Sequence, residues 1–152
     1  MEILKATHDD AEEILALQKL AYLSEAELYN DFKIEPLVQT LEKALEDFSG
    51  QTVLKAVENG RIAGSVRWVV RDGTCYVGKL IVHPDYQNHG LGTALMLELE
   101  RMSECAERYE LFTGWKSEKN LHLYGKLGYV KFKTRDVSEN LKLVYMEKAA
   151  AK

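Results

Sequence analysis

The chain has 152 residues, of which 46% are hydrophobic and 29% are charged, and its formal net charge at pH 7 is -4. This length and balance are typical of one globular domain with a full hydrophobic core, and they argue against a disordered chain. The negative charge argues against a nucleic-acid-binding surface and leaves room for a cationic or amine partner, although a solvated acidic surface explains it equally well.

Neither a membrane span nor a signal peptide is predicted. No apolar run approaches the roughly 20 residues that a membrane span needs, and residues 1–5 lack the apolar core of a signal peptide. We therefore expect a cytoplasmic protein with no membrane partner. Cys75 and Cys105 show neither C-x-x-C spacing nor a histidine cluster suited to zinc, so we expect two buried free thiols and no metal site.

The first third of the chain predicts one strand and a pair of helices. A strand is expected at residues 2–6, and Thr7-x-x-Asp10 resembles a capping box that opens a helix. A second helix is expected to begin at Pro36 or Leu37 and to continue to Gly50, because proline is tolerated in the first turn of a helix.

The middle of the chain predicts an antiparallel meander. Asn59-Gly60 and Asp72-Gly73 are strong signals for two-residue hairpins, so strands are expected near 52–58, 61–71 and 74–83. A helix over about 90–107 then crosses over to a strand near 109–115, which should lie parallel to the strand before the helix.

The last part of the chain predicts a short helix and two strands. Ser117 is a plausible N-cap residue, and Gly128 suits the position just after the C-terminus of that helix. Strands near 129–136 and 141–147 complete a mixed sheet, and residues 149–152 are expected to form a flexible tail.

The segment 80–95 is the most informative about function. A hydrophobic strand is followed by a loop containing Gly90 and Gly92 and then by a helix, an order that directs free backbone N–H groups and the positive end of a helix dipole at one point. This arrangement favours an anion, above all phosphate. The alternative is a turn softened by glycine, without a ligand. The third glycine of a dinucleotide fingerprint and the Gly-Lys-Ser/Thr of a nucleotide P-loop are both missing.

Two motifs resemble the GNAT superfamily of N-acetyltransferases. Residues 87–92 are similar to its acetyl-CoA loop, Gln/Arg-x-x-Gly-x-Gly/Ala, and the strand before them matches Leu-x-Val-x-Pro. A second motif lies about thirty residues later. The matching positions outside the loop are Leu80, Val82, Pro84, Asn120, Tyr124, Gly128 and Tyr129. The resemblance covers nearly the whole chain.

The resemblance implies an α/β (α+β) fold with one domain over residues 1–148. It implies a mixed, mostly antiparallel sheet of about seven strands, flanked by about four helices, with a central parallel pair that splays apart. The pantetheine arm of the coenzyme would lie between the strands that end near Val82 and Gly114, and the pyrophosphate would rest on the N–H groups of residues 88–93.

The implied activity is that of an acetyl-CoA-dependent N-acetyltransferase. It would move an acetyl group to a primary amine of a small molecule or peptide by direct attack in a ternary complex, with CoA as product. The implied cofactor-binding residues are Leu80, Ile81, Val82, Gln87, Asn88, His89, Gly90, Leu91, Gly92, Thr93, Asn120 and Tyr124.

Two alternatives stand beside that activity. One is a catalytically silent acyl-CoA-binding sensor or interaction module on the same fold. The other is covalent transfer through Cys75 or Cys105, for which no basic residue or helix N-terminus is visibly arranged to activate the thiol.

Acetyl transfer poses two proton problems. An alkyl amine with a pKa near 10 is mostly protonated at pH 7 and cannot attack, while a departing thiolate with a pKa of roughly 8.5 benefits from a proton donor. The resemblance implies Tyr124 as the acid, and ordinary packing of a half-buried tyrosine is the alternative. Asn120 would touch the CoA arm or bond local backbone. A backbone N–H near residues 80–82 would stabilise the developing oxyanion.

The general base and the acceptor are less defined. Base candidates are Glu25, Tyr22, Tyr29, Glu35, Glu58 and Tyr76, with ordered water as an alternative. Of these, Tyr22, Glu25, Tyr29 and Tyr76 are also candidate substrate contacts. The resemblance implies an acceptor surface built from residues 20–37 and 138–140. His83 is expected to have a structural role, and His89 is expected to contact a phosphate when it is protonated. The terminal strands would suit either the core or the interface of a homodimer.

Overall fold

The computed structural model describes residues 1–151. In that range seven strands form, namely β1 (Glu2–Lys5), β2 (Thr52–Glu58), β3 (Arg61–Arg71), β4 (Thr74–Val82), β5 (Arg108–Gly114), β6 (Val130–Asp136) and β7 (Lys142–Ala149). The same range contains six α-helices, namely α1 (Ala11–Ala21), α2 (Leu23–Tyr29), α3 (Glu35–Val38), α4 (Leu41–Gly50), α5 (Leu91–Met102) and α6 (Glu118–Lys126).

The strands form one mixed sheet in the order β1-β2-β3-β4-β5-β7-β6. Neighbouring strands are antiparallel except β4 and β5, which are parallel and joined through α5. The predicted hairpins are present: Asn59-Gly60 and Asp72-Gly73 all have positive φ, as a two-residue hairpin turn requires. The predicted fold class is confirmed.

The parallel pair separates soon after it begins. Pairing joins Thr74–Tyr76 of β4 to Arg108–Glu110 of β5, yet β4 continues to Val82 and β5 to Gly114. A bulge at Lys79, whose φ is +49°, inserts an extra residue of β4 opposite β3 and so turns the strand. The two strand ends therefore diverge and leave a gap between them.

Two hydrophobic clusters hold the helices against the sheet. The larger one packs Leu91, Leu95, Met96 and Leu99 of α5 against strand residues such as Val66. The smaller one packs α1 and α4 against the other face, through Ile14 and Phe48 among others. Strand β6 is exposed along its full length. None of the helices within residues 1–151 is long and apolar enough to cross a membrane.

The predicted second helix is wrong as one piece, because the chain breaks it into α3 and α4 at Gln39 and Thr40. Both residues have extended ψ angles, and the Thr40 hydroxyl accepts a hydrogen bond from the Lys43 N–H as an N-cap. The Gln39 side chain turns inward to bond Gln18 and Asp47. This break, together with a separate α2, raises the number of helices above the four expected.

The ends of two elements also differ from prediction. Helix α5 stops at Met102 rather than near residue 107, since Ser103 leaves helical geometry and its hydroxyl bonds the Leu99 carbonyl. The shortened helix leaves Cys105 exposed, so the prediction of two buried thiols is wrong for this one. Strand β7 runs to Ala149, and the Ala150 N–H bonds the Glu107 carbonyl at 2.9 Å. Lys152, the last residue of the predicted tail, lies outside the described residues.

Candidate active site

The N-terminus of α5 faces the loop that carries the glycines. Gly90 is the N-cap residue in a left-handed conformation (φ +80°), and no side chain caps the helix. Asn88 also has positive φ, at +66°. The first N–H groups of a helix have no partner within it, so those of Leu91, Gly92 and Thr93 point out of the helix as donors to an anion.

Gly92 lies at a crowded point between helices. A Cβ atom built there would lie 3.2 Å from Cδ2 of Leu123 on α6 and 3.9 Å from Cγ2 of Val82 on β4. The missing side chain thus brings α5 close to α6 and to the end of β4. At the edge of the same loop, the Lys119 ammonium of α6 donates to the Gln87 side-chain oxygen. Sequence reasoning missed this cation because Lys119 is 32 residues away.

The two histidines of the loop have different surroundings. Nδ1 of His83 accepts a hydrogen bond from the Asp85 N–H at 3.0 Å, which supports its structural interpretation. His89 is exposed at the loop tip, with its ring centroid 6.4 Å from that of Tyr86.

Tyr124 is buried on α6, with 5% of its surface exposed. Its ring lies 6.0 Å from that of Tyr129, centroid to centroid. Burial raises the pKa of its phenol, and the negative charges that Tyr22 and Glu25 can carry raise it further. The phenol therefore keeps its proton throughout the neutral range.

Glu25 of α2 reaches across to α6. One oxygen of its carboxylate, Oε1, accepts a hydrogen bond from the Ser117 hydroxyl at 2.6 Å and one from the Asn120 amide at 3.5 Å. The same amide nitrogen donates to the Thr113 hydroxyl of β5 at 3.2 Å. Burial raises the pKa of Glu25, and the Ser117 hydrogen bond partly opposes that rise.

Tyr29, one turn after Glu25, fastens α2 to the open end of β5. Its hydroxyl accepts a hydrogen bond from the Lys116 N–H at 2.8 Å, and it occupies the space where any side chain at Gly114 would lie. Burial raises the pKa of Tyr29. The pKa of Tyr22 is also raised, first by burial and then by the Glu25 charge. The structure thus brings Tyr22, Glu25, Tyr29, Asn120 and Tyr124 into one neighbourhood.

Of the other sequence candidates, Tyr76 and Glu58 lie elsewhere, whereas Glu35 is near enough to Tyr22 for its charge to raise the pKa of that phenol. Tyr76 is 39% exposed and pairs with Glu110, where β4 and β5 are still joined. Glu58 forms an ion pair with the N-terminal amine at 3.5 Å, and Glu35 forms one with Lys79 at 3.1 Å.

An open cleft of about 490 Å³ lies next to Tyr29. It separates the end of α2 from the β6–β7 connection at residues 138–140, the two regions that the family resemblance assigned to the acceptor. Its lining is polar and carries both signs of charge; the charged residues are Lys116, Asp136, Glu139 and Lys142.

A buried ionic network supports the bulge in β4, and sequence reasoning missed it. Arg67 of β3 is 2% exposed and donates to Asp47 at 3.0 Å and to Gln18 at 2.8 Å, while its Nε has no partner among residues 1–151. Asp47 also lies 3.5 Å from the ammonium of Lys79, the bulge residue. The alternation of hydrophobic residues along β3 did not indicate that the Arg67 side chain is buried.

The covalent route through Cys75 lacks an activated thiol. Cys75 is buried in the larger core cluster, and burial raises its pKa to about 12. A thiol with that pKa is almost entirely protonated at pH 7 and is a poor nucleophile.

Comparison with known proteins defines the class. Residues 18–150 match the model of the acetyltransferase (GNAT) domain. The chain is 28% identical to the L-amino acid N-acyltransferase MnaT of Escherichia coli (strain K12) over 137 residues, covering 86% of this chain and 80% of MnaT. It is 29% identical to the UPF0157 protein YqkA of Bacillus subtilis (strain 168) over 136 residues, which are 88% of this chain; they span only 38% of the length of YqkA.

A solved structure agrees with the fold. The protein YncA of Salmonella typhimurium, solved with its cofactor acetyl-CoA, superposes with a TM-score of 0.79 at 21% identity, covering 100% of this chain and 95% of YncA. With the family model matching most of its length, the chain belongs to the GNAT acetyltransferase family. It carries the acetyltransferase domain of that family over residues 18–150.

Proposed function

We propose that this enzyme transfers the acetyl group directly from acetyl-CoA to a primary amine of a small molecule or peptide, within a ternary complex. The observation that carries the proposal is the buried Tyr124 phenol on α6, a helix that contacts β5 through the Asn120–Thr113 hydrogen bond and approaches α5 at Gly92. The cleft beside Tyr29 would receive the acceptor, and we call it the acceptor cleft.

The coenzyme fits the gap and the α5 N-terminus. The bulge at Lys79 leaves backbone groups of residues 80–82 without a strand partner on the β5 side, so they can bond an extended pantetheine arm. The N–H groups of residues 88–93 would hold the pyrophosphate, with Lys119 and His89 beside it, and the close approach at Gly92 keeps α5 near the gap. Bound acetyl-CoA supplies a thioester carbonyl that an amine can attack.

The residues of the chain would handle the charge that this attack creates. A backbone N–H in the stretch Leu80–Val82 would donate to the carbonyl oxygen as negative charge develops on it. Tyr124 would give its proton to the departing sulfur; its raised pKa keeps that proton available at pH 7. Asn120, already held by Thr113, would position the coenzyme arm.

The acceptor is expected to be a compact primary amine. The cleft carries the carboxylates of Asp136 and Glu139, which favour a protonated amine during approach, and it also carries Lys116 and Lys142, which favour a carboxylate. A free amino acid has both groups, and MnaT is an L-amino acid N-acyltransferase. Free L-amino acids are therefore the first acceptors to test, followed by short peptides with a free N-terminus.

The test is CoA release with a panel of acceptors: L-amino acids, an N-terminal-alanine peptide and spermidine. We expect turnover with at least one of them and a roughly 100-fold lower kcat in Tyr124→Phe, since losing a general acid costs about 10²-fold or more. Tyr109→Phe, which only loses a bond to the Glu100 carbonyl, is the matched control. Binding of acetyl-CoA without turnover of any amine would favour the silent sensor instead.

We also propose that the exposed strands pair two copies of the chain. Phe112 and Phe132 are 51% and 38% exposed, and both pack against Tyr145, so an aromatic surface runs across β5, β7 and β6. Burying such a surface in a symmetric dimer would remove it from water. Sedimentation of the wild type and of Phe112→Lys should show a dimer and a monomer respectively; a wild type that remains monomeric as its concentration is raised contradicts this proposal.

A further inference from the structure

One oxygen of the Glu25 carboxylate is held while the other is uncommitted. Ser117 and Asn120 both donate to Oε1, at 2.6 and 3.5 Å, across 92 and 95 residues of sequence. In the described part of the chain Oε2 has no hydrogen-bond partner. A carboxylate fixed through one oxygen, with the other free to accept, is arranged to receive a proton rather than only to pair with a cation.

We propose that Glu25 is the general base of the reaction, the group that takes the proton from the acceptor amine. This assignment rests on the proposed direct transfer and adds the residue that the sequence left open. Glu25 lies on α2, whose last residues Leu28 and Tyr29 line the proposed acceptor cleft, and it is close enough to Tyr124, the proposed acid, for its charge to raise the pKa of that phenol.

The surroundings of Glu25 suit a base. The titratable groups around it are the phenols of Tyr22 and Tyr29 from its own side and Tyr124 from α6, with the Lys116 ammonium over the Tyr29 ring. Burial raises the pKa of the Glu25 carboxyl above its ordinary 4.5, which strengthens it as a proton acceptor.

Other carboxylates near the gap are already committed to cations. Glu35 pairs with Lys79 at 3.1 Å, and Asp47 pairs with Arg67 at 3.0 Å and with Lys79 at 3.5 Å. Taking up a proton at either group would break an ion pair, which lowers its basicity. Glu25 has hydroxyl and amide donors instead, so protonation there does not leave a cation unpaired.

Glu25 and Tyr124 together account for every proton transfer in the reaction. The ammonium first gives one proton to Glu25, which releases it to water. The neutral nitrogen then attacks, the C–N bond forms and the C–S bond breaks, and Tyr124 gives its proton to the sulfur. The second nitrogen proton leaves through Glu25 and solvent and restores the Tyr124 phenol. The net products are the amide, CoA thiol and one proton.

Glu25→Gln tests the assignment, with Glu27→Gln as control. Both residues lie on α2, but Glu27 is exposed. With the best acceptor of the panel, we expect kcat of Glu25→Gln to fall about 100-fold at pH 7 while KM for acetyl-CoA stays unchanged. The deficit should shrink as the pH approaches the pKa of the acceptor amine, because the free amine then forms without a base. The acidic limb of the wild-type kcat profile, above pH 4.5, should disappear in the variant.

Ser117→Ala provides a second readout. It leaves the carboxylate in place but removes its shortest hydrogen bond, so we expect a smaller, roughly 10-fold loss of kcat with the acidic limb retained. A Glu25→Gln enzyme with unchanged kcat overturns the assignment, as does one that raises only the KM for the amine or loses activity equally at every pH. A wild type inactive with every amine instead refutes the proposed function, while acetyl-CoA-dependent stabilisation of Glu25→Gln shows that this variant is folded.

Discussion

The Tyr29 hydroxyl accepts a hydrogen bond from the backbone N–H of Lys116 at 2.8 Å. Lys116 follows the last residue of β5 by two positions, where the strand has already left β4. Through this bond, α2 supplies a partner to backbone that the splayed sheet leaves without one. The helix that borders the proposed acceptor cleft is thereby tied to the strand that borders the proposed coenzyme gap.

Removing this tie should affect acceptor binding more than coenzyme binding. In Tyr29→Phe the partly buried Lys116 N–H loses its partner, so we expect unfolding to be easier by about 1 kcal/mol and the KM for the amine to rise. Urea unfolding and steady-state kinetics measure the two effects. An equal rise in KM for acetyl-CoA would show that Tyr29 does not act on the acceptor side alone.

Gly114→Ala probes the same contact from the strand. An added Cβ would overlap the Tyr29 hydroxyl, so α2 must shift. We expect this small substitution to weaken amine binding at least as much as Tyr29→Phe does. The matched control is Gly125→Ala, where the added methyl meets open space and replaces a helical glycine. Kinetics for Gly114→Ala that match those of the wild type would contradict the account.

The buried Arg67 should make Asp47 costly to remove. Asp47→Ala would leave the guanidinium, which is 2% exposed, without its carboxylate and with Nε already unpartnered. Leaving a buried charge unpaired destabilises a protein by about 3 kcal/mol or more. Glu46→Ala, next to it but paired only with the exposed Lys43, should change the free energy of unfolding by less than about 0.5 kcal/mol. Chemical denaturation measures the free energy of unfolding of both variants. Equal losses in the two variants would mean that the Arg67–Asp47 network contributes nothing to stability.

The two cysteines should react very differently. Cys105 is exposed, whereas Cys75 is buried with its pKa raised to about 12. A maleimide should modify only Cys105 in the native protein and both residues after unfolding, with no loss of activity on native modification. Mass spectrometry of the modified protein reads this directly. Rapid native labelling of Cys75, or an acetyl adduct on it after incubation with acetyl-CoA, would revive the covalent route.

The raised pKa of Tyr124 predicts how the free energy of unfolding and kcat change at alkaline pH. The folded phenol keeps its proton above the ordinary pKa of 10.0, while the unfolded phenol loses it there. Its contribution to stability is therefore present below pH 10 and is lost as the pH rises toward the folded pKa. Unfolding free energies measured from pH 9 to 11 should fall less in Tyr124→Phe than in the wild type, and kcat should show no basic limb from this phenol below pH 10.

Local signals in the sequence predicted most of the framework. The Asn-Gly and Asp-Gly turns located β2, β3 and β4 to within a residue, because a two-residue hairpin is specified by the residues that form it. The break before α4 also had a local signal, Thr40 as an N-cap, which the longer apolar pattern obscured. The end of α5 at Ser103 depends on a side chain bonding the Leu99 carbonyl, which competes with helix continuation.

The arrangement of the site could not be predicted in the same way. Glu25 and Ser117 meet across 92 residues, and Arg67 meets Asp47 across 20, so neither contact follows from the spacing of neighbours. The bulge at Lys79 places a lysine in a left-handed conformation that glycine or asparagine usually adopts. Such features depend on how the helices pack against the sheet, so the sequence of neighbouring residues does not predict them.

Thermal unfolding with acetyl-CoA tests the central claim most directly, namely that the gap and the α5 N-terminus together hold the coenzyme. ATP and NAD at the same concentration are the controls, since they carry phosphates but no pantetheine arm. We predict a clear rise in Tm with acetyl-CoA alone, because a ligand at 100 times its Kd stabilises the folded state by about 2.7 kcal/mol. Equal shifts with all three ligands, or no shift with acetyl-CoA, would contradict the account.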